Sequence, residues 1–208
     1  GSESRDTQGR GTHGVSFSAD GLRWQPYEHN PVLRGYQRGD AASAAMLQFG
    51  PTPEGPRDFP TARYALFPKV HVEIGQQSHD VPWRRRCFTV CTSIDDPDVH
   101  PFSQWTEPML VLAPDALDDD MANERLATAK PILLRDHPDD HRCEFYGLVV
   151  WRSGDVFLGL IWVYDAAFEL SRIGGGSEYA TVEVQLIASR DLIHWHRAGN
   201  RQPVIARG

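Results

Sequence analysis

Ser189-Arg190-Asp191-Leu192-Ile193-His194-Trp195, followed by Gln202-Pro203-Val204-Ile205, is the stretch on which the fold turns. Its pattern occurs twice more. Ser18-Ala19-Asp20-Gly21-Leu22-Arg23-Trp24 precedes Asn30-Pro31-Val32-Leu33. Ser93-Ile94-Asp95 reaches Trp105 after a short insertion, ahead of Glu107-Pro108-Met109-Leu110. Each copy follows strand-like sequence: Gly14-Val15-Ser16-Phe17, Cys87-Phe88-Thr89-Val90-Cys91 and Val182-Glu183-Val184-Gln185-Leu186-Ile187. A pattern that returns at such long intervals marks a repeat architecture.

The chemistry of the repeat is that of a β-hairpin. A strand ends at Ser, and Asp turns the chain by bonding backbone amides ahead of it. Gly21 can supply the positive φ that tight turns need, where Asp96 and Leu192 stand in the other copies. The Trp opens the next strand and packs over the turn. The Pro closes that strand at an edge, where a missing N–H does no harm.

Outward from the hairpins, the remaining segments supply further strands. Residues 41–49, 63–72 and the hairpin at 85–112 form one group of four. Residues 144–151, 156–164, 182–189 and 195–205 form another. Residues 12–18 and 22–33 form a hairpin alone. No segment shows a helical apolar period with caps. The expectation is roughly ten strands in groups of two, four and four, the unit of a β-propeller. An immunoglobulin-type sandwich lacks such four-strand repetition. In boundaries, this gives a half blade at 12–33, a blade at 40–112, an acidic insertion at 113–142 and a blade at 144–205. The stretches 50–62, 73–84 and 171–178 are expected to be loops.

The hairpin phrase resembles that of the five-bladed glycoside hydrolases: the β-fructosidase, arabinanase/xylosidase and mannoside phosphorylase families. Glu144-Phe145-Tyr146-Gly147, Leu158-Gly159-Leu160-Ile161-Trp162-Val163-Tyr164 and Val184–Asp191 are similar to uncharacterised propeller proteins grouped with those hydrolases. The resemblance implies an all-β, five-bladed propeller, of which this chain carries two complete four-stranded blades and the outer half of a third. Two and a half blades cannot close a ring. The rest of the propeller, or a second chain, is expected to complete it.

Glycoside hydrolysis needs two carboxyl groups across a sugar ring, one protonated and one ionised. In a propeller the first strand of each blade lines the channel, and its start lies at the mouth. Asp40 and Glu144 open the first strands of successive blades, so blade geometry brings them together. The resemblance implies that Glu144 is the general acid and that Asp40 orients the sugar and tunes it. The surroundings depart from the family pattern. Arg38-Gly39-Asp40-Ala41 stands for Arg-Asp-Pro, and Cys143-Glu144-Phe145 for Glu-Gly-Pro or Glu-Cys-Pro. The third family carboxylate, an Asp beginning the first blade, has no candidate, so the isolated 208 residues are expected to be inactive. Tyr146 and Trp151 are candidate sugar-stacking rings, and Arg63 and Arg152 candidate hydroxyl or carboxylate binders. The alternative is a noncatalytic module that binds glycan or protein.

Other features bound the function. The formal charge of -7 argues against nucleic acid as a main partner. No apolar run approaches the ~20 residues of a membrane helix. No secretory signal is visible, and the compartment stays open. The three cysteines fit buried thiols rather than a disulfide or zinc framework. Asp136-His137-Pro138-Asp139-Asp140-His141 and Asp118-Asp119-Asp120 hold metal-capable groups in no known motif, and an acidic surface loop is the simpler expectation. No metal or cofactor is expected.

Overall fold

A computed structural model describes residues 3–5, 11–36, 45–48, 64–73, 84–94, 102, 104–129, 141–167 and 181–207. Strand dominates the described residues, joined by one α-helix. In the N-terminal unit the strands are β1 (Glu3–Arg5), β2 (Gly11–His13), β3 (Ser16–Phe17), β4 (Gln25–Pro26) and β5 (Leu33–Tyr36). They pair antiparallel, in the order β1-β2-β5 with β3 on β4. The two-stranded hairpin expected over 12–33 is divided between the β2–β5 and β3–β4 pairings, which lie in separate sheets, and β1 adds a third strand to the first of them.

The second unit holds β6 (Ala45–Gln48), β7 (Tyr64–Phe67), β8 (Lys69–Glu73), β9 (Arg84–Thr92) and β10 (Met109–Leu112), in the order β10-β9-β7-β6. β7 and β8 run along β9 as one strand broken at Pro68, which has no N–H to give. The Pro68 carbonyl accepts the amide and hydroxyl of Thr89, at 3.0 and 3.2 Å. The third unit holds β11 (His141–Ser153), β12 (Val156–Ala167), β13 (Thr181–Ser189), β14 (Trp195–Arg197) and β15 (Pro203–Ile205). Its order is β11-β12-β13-β14, with β15 continuing along β13 beyond a 3-10 turn. Both units are up-and-down antiparallel sheets whose fourth strand closes the repeated hairpin.

The hairpins repeat at the level of single atoms. Asp20 Oδ1 accepts the amides of Leu22 and Arg23, both at 2.8 Å. Asp191 Oδ1 accepts those of Ile193 and His194, at 2.9 and 2.7 Å. Ser18 and Ser189 accept the amides of Gly21 and Leu192. Each Trp indole donates to the carbonyl three residues back: Trp24 to Gly21, Trp105 to Phe102 and Trp195 to Leu192. Gly21 and Leu192 share a positive φ, 75° and 67°. Leu192 carries the ~1–2 kcal/mol strain of that conformation because its side chain is fully buried in the central core.

The largest core lies between the second and third sheets. Ala65, Phe67, Phe88 and Val90 meet Phe145, Ile161, Val163 and Ile187 there. Strand β11 packs against both β6 and β9. The opposite face of the second sheet, with Leu66 and Cys91, packs on Leu33 and Val32 of the N-terminal unit. Three units thus follow one another in the order of the chain.

Within the insertion expected at 113–142, where an acidic surface loop is the simpler expectation, residues 116–129 form helix α1 (Ala116–Ala129). Asp115 caps it, with its Oδ1 accepting the Asp118 amide at 3.0 Å while Asp118 Oδ2 accepts the Asp115 amide at 3.2 Å. This is a reciprocal capping box with Asp in place of Glu. The helix shows no apolar stripe because its inward face is Asp118, Ala122 and Arg125, at helical spacing. Asp118 meets Arg197 and Arg201, and Asp119 meets Arg85. The Arg125 fork donates to both oxygens of Asp165, at 2.6 and 2.9 Å, and approaches Glu183. Burial pushes the Asp165 carboxyl up, against the pull of that fork. The triple Asp is therefore no solvated loop. Two of its carboxylates are committed to arginines that tie the helix to both sheets.

Candidate functional site

Glu144 lies three residues inside the start of β11, the first strand of the third sheet, rather than opening it. Register sets it opposite Tyr164 on β12. Its side chain is fully buried. Its Oε2 accepts the Arg86 guanidinium at 2.6 Å and the Arg86 amide at 3.3 Å. Arg86 comes from β9 of the neighbouring sheet, so this ion pair spans the joint between the two.

Tyr146, two residues on, stacks on Tyr164 with ring centroids 5.4 Å apart. A β-bulge between Phe145 and Gly147 releases Tyr146 from strict pairing. Arg86 lies over both rings, at 5.4 and 5.7 Å from their centroids. Lys69 of β8, itself buried, stands 4.5 Å from the Tyr146 centroid and donates to the Tyr146 carbonyl at 3.1 Å. The result is a buried carboxylate beside two half-buried tyrosines, flanked by two cations from the adjacent sheet. Such a site offers flat aromatic surface and charge-assisted donors.

The other expected residues do not all join it. Trp151 lies seven residues along β11, about 20 Å away at the strand rise of ~3.3 Å per residue. Arg152 follows it, exposed, and donates to the Gly154 carbonyl in the β11–β12 turn. Both therefore belong to the far end of the sheet from Glu144. Asp40 and Arg63 lie outside the described residues, as do Asp136, His137, Asp139 and Asp140. His141 opens β11.

Sequence reading missed Lys69, Arg86 and Tyr164. Counting outward from the Gly154-Asp155 turn, which sets Ser153 against Val156, leads to Asp165 opposite Glu144; the bulge between Phe145 and Gly147 moves the partner to Tyr164, and no local sequence signal marks that shift. Lys69 and Arg86 arrive by packing of one sheet on the next, which leaves no local signal. The cysteines are all free and buried. Burial pushes the Cys87 thiol up to about 12 and the Cys143 thiol well above its ordinary value, so neither is a nucleophile at neutral pH. Among the described residues, no three His, Cys, Asp or Glu side chains gather to hold a metal ion. No family model matches the sequence, and no curated protein matches it either.

Proposed function

We propose that the chain is a section of a carbohydrate-active β-propeller of the five-bladed kind, and that glycan binds over the Tyr146–Tyr164 pair. The observation that carries this is the placement of Glu144, Tyr146 and Tyr164 near the start of a sheet's first strand, beside the neighbouring sheet. The tandem four-stranded sheets and the atom-level repeat of the hairpins support the blade reading.

In the hydrolase form of this reading, Glu144 donates the proton to the leaving oxygen and Asp40 holds the sugar. No base or nucleophile is assigned among the described residues in this form. One observation favours the second form, glycan binding without cleavage. Glu144 is fully buried and its Oε2 is taken by Arg86. A proton donor must reach the glycosidic oxygen, and this carboxylate instead positions Arg86 under the two rings.

The intact protein is tested against aryl glycosides and an oligosaccharide panel, with Tyr146→Ala and Glu144→Gln alongside. A hydrolase would release aryl alcohol and lose that activity in Glu144→Gln. A binding module would retain oligosaccharide without turnover and weaken at least tenfold in Tyr146→Ala. Neither turnover nor retention would overturn the proposal.

A further inference from the structure

The third sheet is apolar on both faces. Its Ile161, Val163 and Ile187 face pairs with the second sheet. Its other face carries Val149, Leu160 and Leu186 in one row and Trp162 with Val184 in the next. Val149 is 51% exposed and Trp162 41%, with Leu160, Val184 and Leu186 half-buried beside them, so among the described residues this second face is left partly uncovered. Neighbouring exposed apolar side chains on a sheet face mark a candidate interface.

The internal repeat says what fits it. Superposing the hairpins on Ser93 and Ser189 sets Phe88 and Val90 level with Val184 and Leu186. Phe88 and Val90 are the residues by which the second sheet receives the third. The partly uncovered face is therefore equivalent to a face that already binds the next unit. At the other side of each unit the hairpin Trp meets the preceding unit, through receiving residues that differ between the two joints. Trp195 of the third unit packs edge-on against Phe67 of the second, and Trp105 of the second packs near Val32 and Leu33 of the first. Trp24 of the first unit, in the same hairpin, is 62% exposed. Both halves of the joint are thus present and at least partly uncovered in one chain.

We infer that a second copy of this chain docks head to tail, its Trp24 hairpin against the Val149–Trp162 face, in a joint equivalent to those between the internal units. The contact is heterologous, so two copies form two joints if the rotation closes a ring. The inference rests on the repeat and not on glycan binding, and its assay reads mass alone.

The experiment is sedimentation equilibrium of the full chain over a wide concentration range, with Val149→Lys and Trp24→Ala. Both substituted side chains are exposed, and circular dichroism verifies that each variant folds. The wild type is expected at the mass of two chains, and each variant alone is expected as monomer. Mixing the two variants should restore a dimer, because the intact face of one meets the intact hairpin of the other. A monomeric wild type would overturn the inference. A dimer lost in Val149→Lys but kept in Trp24→Ala, with no rescue on mixing, would also overturn it and show instead two such faces packed on each other.

Discussion

Removing the Asp118 carboxylate should cost far more stability than removing that of Asp115, which caps the same helix. The side chain is 2% exposed. It takes Arg197 Nη1 at 3.1 Å and Arg201 Nη1 at 2.9 Å on Oδ1, and the Asp115 amide at 3.2 Å on Oδ2. Asp118→Ala leaves two largely buried guanidinium groups facing a void. Breaking a buried pair in this way costs ~3–5 kcal/mol. Asp115 is the internal control. It is bidentate to Arg201 at 2.6 Å, but its side chain is 55% exposed, and an exposed pair is worth only ~0.2–1 kcal/mol. With the lost cap, Asp115→Ala should cost roughly 1–2 kcal/mol. Urea unfolding of both variants reads the difference, and a chain of this size should show Asp118→Ala melting on the order of 10 °C lower. An Asp118→Ala variant within ~1 kcal/mol of wild type, with Asp115→Ala the more damaging, would refute the account of a helix held by buried charge.

Acid should separate Asp115 from wild type in a definite direction. The Arg201 side chain holds its carboxyl down at about 2, from an ordinary 3.8, so its contribution is complete above pH 3.8 and fades as pH falls towards 2. The stability gap between wild type and Asp115→Ala should close over that window, and a gap that widens would contradict the pairing. Trp195→Ala should cost about 3 kcal/mol in urea unfolding through its contact with Phe67, and a neutral result would remove it from the core. Gly147→Ala should cost ~1–3 kcal/mol and alter tryptophan fluorescence, because the new Cβ would lie 2.6 Å from two atoms of the Trp162 ring. Unchanged emission and stability would mean that the ring does not lie over Gly147.

What the sequence disclosed depended on how local the physics was. The Ser-Asp-Trp hairpin bonds to itself within a few residues, so its chemistry and flanking strands could be read directly. Gly21 and Leu192 illustrate the limit. The Ser and Asp bonds impose the positive φ, while tertiary burial decides that a leucine is tolerated at one copy. Helix α1 was missed because its inward face is Asp118, Ala122 and Arg125, and an apolar period is blind to a face that buries ion pairs. The Asp115–Asp118 capping box was the signal that could have found it. At the candidate site, Glu144 and Tyr146 were readable as lying near the start of a strand. Lys69 and Arg86 were not, since they belong to another sheet and arrive only by packing.

The clamp on α1 also orders events in time. A helix of 14 residues with no apolar stripe is marginal on its own. Its cap residue Asp115 waits for Arg201, which lies 86 positions further along the chain. The hairpins need only neighbours close in sequence and can close early. We therefore expect α1 to be the last element to acquire protection in pulsed hydrogen exchange, after β13 and β14 have delivered their arginine and carboxylate partners. Protection of α1 ahead of the third sheet would show that the helix forms without them. Until that late step the acidic segment stays open to solvent, and a nascent chain stalled before Arg197 would present it unfolded.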